Sequence, residues 1–288
     1  EACEYRNSFL SFRPTVSVIL NIEADHLDFF KDTDDIIASF RRFALLTPEN
    51  GGVIINGDDE NSRRAVEGLP RRVVTFGLSE GCDVHPENVA VEKGLYSCDV
   101  IAGGKLYGCM KLSVPGKHNL LDALAAAAVA VELGVLSDDF ARGMESYRGV
   151  GRRFEFKKHW RGADVYDDYA HHPNEIEASL KAAKALSPGR VLCVFQPHTY
   201  SRTVSLLDEF ALALSHADKA ILCPIYAARE TNVYGISSAD LARRIPGAEV
   251  VEDLDHAARR LGEIVQPGDL IFTMGAGDVW QVADLLRD

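Results

Sequence analysis

The second half of the sequence alternates between two kinds of segment. "ADVYDDY", "RVLCVFQ", "KAILCPI", "AEVVE" and "DLIFTMG" are short apolar or β-branched runs, and each is followed by a segment with helical spacing. A strand that reaches the next strand through a helix pairs with it in parallel, and the helices cover both faces of the sheet. The pattern therefore predicts an α/β domain with a mostly parallel sheet. The first half is less regular. "TVSVILN", "GGVIINGDD" and "RRVVTFGL" read as strands, and "DHLDFFKDTDDIIASFRRFALL" as a helix with an acidic start. The stretch from Val89 to Val114 reads as antiparallel hairpins split by "KG" and "AGGK". "PGKHNLLDALAAAAVAVELGV" reads as an alanine-rich helix whose small side chains let it approach a sheet closely.

A chain of 288 residues is too long for one ordinary core and about right for two. The glycine-bearing stretch "YRGVGRRF" near Tyr147 is the natural linker. Two domains are expected, 1–147 and 148–288. The net charge of −12 disfavours nucleic acid and anionic membrane as partners, since polyanions reward clustered Lys and Arg. It leaves room for an anionic small molecule at a local basic spot. The six cysteines form no CxxC pair and several sit in apolar runs, so they are expected to be buried free thiols of a cytoplasmic protein. The longest mild apolar run, "ALAAAAVAVELGV", is too short to span a bilayer. The sequence opens on Glu1, as if in the middle of a longer chain.

Titratable groups crowd the points where strands hand over to helices. In "DVYDDYAHHPNEIEASL" a strand over Val165–Tyr169 is expected to end at Asp168, Tyr169, His171 and His172, with Pro173 in the first helical turn. Glu175 and Glu177 suit the positive helix end. The next strand does the same in "VFQPHTYSRT", which offers Gln196, His198, Tyr200, Ser201 and Arg202. Ligands of open α/β sheets bind at this carboxyl edge, and Arg with His there suits a carboxylate or phosphate. Any one of these residues could simply cap a helix or solvate a loop. "YAARETN" adds Arg229 and Glu230 after a third strand, a weaker signal that reads equally as a surface ion pair. In the first half, "NIEADHLD" places Asn21, Glu23, Asp25 and His26 after a strand, with Glu1 and Glu4 on the preceding segment. A carboxylate and an imidazole together would bind a divalent ion, and ligand softness alone favours zinc or manganese. The competing reading is that Asp25 caps the following helix. "IAGGKL" fails the phosphate-loop spacing and "TMGAGDVW" lacks the third glycine of a dinucleotide fingerprint, which disfavours an oxidoreductase.

The motifs "EACEY", "NIEADHLD", "GKHNLLDALAA", "GRRFE", "DDYAHHPNEI", "FQPHTYSRT" and "GDLIFTMGAGD" occur in the order seen in the Mur ligases, and the chain resembles that family over essentially its whole length. The resemblance implies the later part of a central ATPase-type α/β domain over 1–147, then a complete Rossmann-like α/β domain over 148–288. The UDP-binding domain and phosphate loop would lie upstream, so this piece alone is expected to be inactive. The implied chemistry is peptide-type ligation with ATP and Mg2+ through an acyl phosphate. "DDYAHHP" and "FQPHTYSRT" are most similar to the branch that joins L-alanine to UDP-N-acetylmuramate; a branch that recycles murein tripeptide is the alternative, and a noncatalytic nucleotide-binding module a third reading. Residue by residue, the resemblance implies Glu1 and His26 as magnesium ligands and Asn119 near the adenine. It implies Arg153 and Asp168 on the nucleotide side. It places Tyr169, His171, His198 and Arg202 at the amino acid and activated carboxylate, with His171, His198 and Arg202 as the catalytic candidates. Asp122 and Thr199 depart from residues common in the family, so their contacts do not carry over.

Overall fold

The computed structural model describes residues 2–27, 29–186 and 189–287. It resolves into two compact units, one built from 1–91, 96–113 and 118–147, the other from 92–95, 114–117 and 148–288.

The first unit opens with a 3-10 segment, Tyr5–Ser11. It continues through β1 (Val16–Ile19), α1 (Thr33–Leu45), β2 (Gly52–Asn56), α2 (Glu60–Val66), β3 (Arg72–Phe76), β4 (Val84–Glu92), β5 (Leu95–Ala102), β6 (Lys105–Lys111), α3 (Lys117–Glu132) and α4 (Ser137–Ser146). The six strands lie in chain order, β1 to β4 pairing in parallel and β5 with β6 antiparallel. Successive residues of a strand face opposite sides, and β2 shows what that does. Ile54 joins Phe76, Met110 and the Leu120, Ala123, Leu124 and Ala127 stripe of α3 on one face. Val53 and Ile55 join Ile36, Phe43 and Ala65 of α1 and α2 on the other. The expected strands and the alanine-rich helix are all present. "AGGK" is the β5–β6 turn, where Gly103 and Gly104 take φ of 55° and 72°, the left-handed values a two-residue hairpin needs.

Two expectations are corrected here. The hairpin region begins earlier than Val89, with β4 starting at Val84. The helix after "NIEADHLD" begins only at Thr33, and its cap is Asp32, whose carboxylate accepts the N–H of Asp35 at 3.0 Å. Asp25 is seven residues too early to cap it.

The second unit contains β7 (Glu155–Trp160), β8 (Ala163–Asp168), α5 (Pro173–Leu186), β9 (Val191–Phe195), α6 (Tyr200–Ser205), α7 (Leu207–Leu214), β10 (Lys219–Leu222), α8 (Ser238–Ala242), β11 (Glu249–Val250), α9 (Leu254–Ile264), β12 (Leu270–Met274) and α10 (Gln281–Leu285). The sheet order is β11-β10-β9-β12-β8-β7, parallel except for β7. Val191, Cys193 and Phe195 face α5, α7 and α8, while Leu192 and Val194 face α9 and α10. β9 is thus buried on both sides, as a continuous apolar run requires. "AEVVE" gives only the two-residue β11. Four cysteines are buried and free, but Cys3 and Cys109 are exposed, against the expectation of general burial.

Candidate functional site

The parallel strands of the second unit all deliver their carboxyl ends to one edge. β8 ends at Asp168, which is 3% exposed. Its carboxylate accepts the N–H of Ala170 at 2.9 Å and the hydroxyl of Ser179 at 2.7 Å, so it shapes the turn that follows. Burial pushes the Asp168 carboxyl up, against those two hydrogen bonds and the Arg153 charge. Glu175 reaches back from the first turn of α5 and accepts the N–H groups of His171 and His172 at 3.0 and 3.1 Å. Burial opposes its ionisation, yet His171, Arg153 and those two amides outweigh it and hold Glu175 below its ordinary value. The helix start is thereby satisfied from within, as orphan N–H groups must be.

The turn presents Tyr169 and His171. Arg153 bonds Glu175 at 3.3 Å, and its guanidinium lies 5.5 Å from the Tyr169 ring. Arg152 lies 4.9 Å from the same ring. The expected residue of this doublet was Arg153, but Arg152 is the more committed of the two. Its Nε pairs with Asp167 at 2.9 Å, and Nη2 donates to the carbonyl of Gly275 at 2.7 Å. Asp167 is fully buried and also accepts the Thr273 hydroxyl at 2.7 Å. A buried carboxylate stripped of its cation costs about 3–5 kcal/mol, so Arg152 is structural cement under the site.

The loop after β9 meets the loop after β8. The rings of His171 and His198 lie 6.0 Å apart, edge to face. His198 also stacks on Tyr226, 5.6 Å away and 14° from parallel, because His198 and Tyr226 form one isolated rung beyond β9 and β10. Nδ1 of His198 is buried without a hydrogen-bond partner among the described residues. Burial first, then the positive fields of His171 and Arg202, push His198 down to about 4. Its imidazole is neutral at physiological pH. Arg202 sits in α6, on the turn capped by Thr199. Gln196 braces the edge from below: its Oε1 accepts the N–H of Asp278 at 2.9 Å and of Val279 at 3.2 Å, and its Nε2 donates to Asp278 at 2.7 Å. Arg153, Asp168, Tyr169, His171, His198 and Arg202 are therefore neighbours. Tyr226 was not anticipated, although "PIYAARE" directly after a strand was a usable signal. Glu230 does not pair with Arg229; it accepts from Ser201 at 2.9 Å.

In the first unit, His26 follows β1 with φ of 53°. Its Nε2 lies 3.4 Å from Glu4 and 3.7 Å from Asp25, and its ring packs 4.6 Å from Tyr5. One ligand atom each from Glu4, Asp25 and His26 falls within 4.8 Å of the others, a spacing one divalent ion can bridge. The loop is tied down from α2: Asp59 accepts the N–H of Ile22 at 3.2 Å, and Asn61 donates to the Ile22 carbonyl at 2.9 Å. Glu1, the other expected metal ligand, lies outside the described residues. Asn119 stands in the first turn of α3, its amide 3.2 Å from His118 Nε2.

Comparison with known proteins places this geometry in a family. Residues 2–130 match the Mur ligase middle domain, and residues 152–277 match the Mur ligase glutamate ligase domain. The chain belongs to the Mur ligase family. The UDP-N-acetylmuramate–L-alanine ligase of Agathobacter rectalis is 45% identical over 293 aligned positions, covering 100% of this Mur ligase chain and 64% of that protein. The ligase of the same name from Caldanaerobacter subterraneus is 45% identical, covering 99% and 63%. The crystal structure of the UDP-N-acetylmuramate–alanine ligase of Thermotoga maritima superposes with a TM-score of 0.78 at 27% identity, covering 97% of this chain and 60% of that one. This Mur ligase chain thus spans a little under two thirds of the relatives it matches. Its edge cluster from Arg153 to Arg202 falls within the glutamate ligase match, and His26 and Asn119 within the middle-domain match.

Proposed function

We propose that this chain supplies nucleotide-side and amino-acid-side groups of a cytoplasmic ligase that joins L-alanine to UDP-N-acetylmuramate in peptidoglycan synthesis. The observation that carries the reading is the meeting of two loops: His171 after β8 stands 6.0 Å from His198 after β9, beside Arg202. Residues 1–147 act as the later part of the central ATP-binding domain and 148–288 as the C-terminal domain.

In this reaction the lactyl carboxylate is phosphorylated from ATP, and the amine of alanine then displaces phosphate through a tetrahedral adduct. Arg202 holds the alanine carboxylate, since a guanidinium matches a carboxylate fork. His171 and His198 wall the amine, and the uncharged imidazole of His198 is free to accept the proton the amine sheds. Tyr169, pinned between Arg152 and the turn, closes the same wall. Asp168 has lone pairs left after its two internal bonds, which suits ribose hydroxyls, with Arg153 beside it on the nucleotide side; within the first unit, Asn119 is the residue proposed for the adenine. His26 with Glu1, and with the carboxylates of Glu4 and Asp25 adjacent, would hold Mg2+. That ion would neutralise crowded phosphate oxygens as charge develops.

The test is phosphate release by the full-length enzyme. It should require ATP, UDP-N-acetylmuramate and L-alanine together, and Arg202→Ala should raise the KM for L-alanine by about tenfold or more. Release with murein tripeptide but none with L-alanine would replace this reading with the recycling branch.

A further inference from the structure

Glu230 lies on the loop after β10, in the edge cluster but outside every role given above. Its Oε2 accepts the N–H of Ser201 at 2.9 Å, and its Oε1 accepts the Ser201 hydroxyl. The N–H of Tyr200 is a further donor. Burial opposes ionisation of Glu230, but the Ser201 and Tyr200 donors and the Arg202 charge outweigh it and hold the carboxyl below its ordinary value. At neutral pH it is a part-buried carboxylate whose two oxygens are committed to the protein. Tyr200 and Ser201 open α6, and Arg202 is the next residue.

Within the turn that Glu230 grips, the Thr203 hydroxyl donates to the Thr199 carbonyl at 2.7 Å, but the N–H groups of Ser201 and Arg202 get little from the turn itself. Thr199, the cap of α6, takes φ of 67° and ψ of 146°, a conformation unfavourable for a β-branched side chain. Its hydroxyl reaches the N–H of Arg202 only at 3.5 Å, the far limit of a hydrogen bond. Further restraints come from other loops. The Thr199 N–H donates to the Tyr226 carbonyl at 2.9 Å, and Ser201 is held by Glu230. Glu230 is itself set by a tight turn in which its N–H donates to the Ala227 carbonyl at 2.9 Å, with Ala228 at φ of 51°. A charge-assisted bond to a helix-start N–H is both strong and directional.

We propose that Glu230 is a positioning residue of the amino-acid site: through Ser201 it fixes the first turn of α6 and so sets where Arg202 meets the substrate carboxylate. The proposal rests on the role given to Arg202 under the proposed function. Each Glu230 oxygen already accepts a hydrogen bond from Ser201, so its role is assigned through that residue and not through the substrate.

The test compares Glu230→Ala, Glu230→Gln and Ser201→Ala. Amide hydrogen exchange is read in the 288-residue chain and steady-state kinetics in the full-length enzyme. In Glu230→Ala, exchange at the Ser201 and Arg202 amides should quicken by about tenfold or more. The KM for L-alanine should rise by about tenfold, while kcat and the KM values for ATP and UDP-N-acetylmuramate stay within about twofold. Glu230→Gln keeps an oxygen for Ser201 and should recover part of both effects; Ser201→Ala should show a weaker form of the same pattern. If Glu230→Ala does not fold, these two variants decide the matter. Unchanged exchange at Ser201 overturns the proposal. So does an equal loss across all three substrates, which marks a general structural role. If the wild-type enzyme does not use L-alanine, the ligase reading fails, and the exchange result still decides whether Glu230 holds α6.

Discussion

A histidine kept neutral by burial loses stability to acid. His198 is pushed down to about 4 in the folded chain by burial, His171 and Arg202, with Glu230 opposing; unfolded, it takes a proton near 6.5. Between those values the unfolded state binds the extra proton, so the contribution is intact above about 6.5 and is lost as the pH falls toward 4. Asp168 works in the opposite sense, since its raised folded value favours the folded state as acid protonates it. The difference between wild type and His198→Phe isolates the histidine. The urea midpoint of the wild type should fall more steeply than that of the variant across this window; parallel curves would show that His198 is not shielded. The sequence made His198 legible as a site residue because it follows a buried strand. Its Nδ1, unpaired among the described residues, and its stacking on Tyr226 were not legible, because they depend on a rung between loops 28 residues apart.

At the scale of elements, the edge is held by loops locked against one another more than by helix propensity. The loop after β12 passes so close to that after β9 that a Cβ at Gly277 would come 2.2 Å from Gln196 Oε1 and 2.8 Å from the Tyr226 ring. Neither neighbour is free to leave. Gln196 is bonded to Asp278 and Val279, and Tyr226 backs His198. Gly277→Ala should therefore cost roughly 1–3 kcal/mol by overpacking, read as a lower denaturation midpoint. It should also shift the His198 ring resonances. A variant as stable as wild type, with those resonances unmoved, would show the contact to be slack. "TMGAGDVW" looked like an incomplete dinucleotide fingerprint; its glycines instead admit this close approach. The missing third glycine was the usable sign, because a glycine-rich turn after a strand otherwise has the same composition whether it faces phosphate or another loop.

Over the whole molecule, each sheet separates two apolar layers, and the cysteines follow that plan. Cys82, Cys98, Cys193 and Cys223 are buried, and only Cys3 and Cys109 of the six are exposed. A thiol reagent applied to the native chain should modify two thiols, and all six once the chain is denatured. Cys109 should react more slowly than Cys3, because its hydrogen bond to Asp99 and that negative charge raise its thiol value. Rapid modification of a third thiol in the native chain would mean that one of these cores opens easily. The helices follow the same plan: among the described residues, none is long and apolar enough to cross a membrane.

The order of strands and helices, the parallel sheet of the second half and the edge residues from Asp168 to Arg202 were written in the sequence itself. Burial on two faces demands continuous apolar runs, and strand ends must be followed by the residues that turn the chain. Which of those residues are spent on the fold was decided only by tertiary structure. Asp168 turned inward to Ala170 and Ser179, and Arg152 rather than Arg153 took the buried carboxylate of Asp167. Glu230 left its sequence neighbour Arg229 for Ser201, across the sheet edge. Such choices depend on distances between segments far apart in the chain, and local spacing carries no record of them.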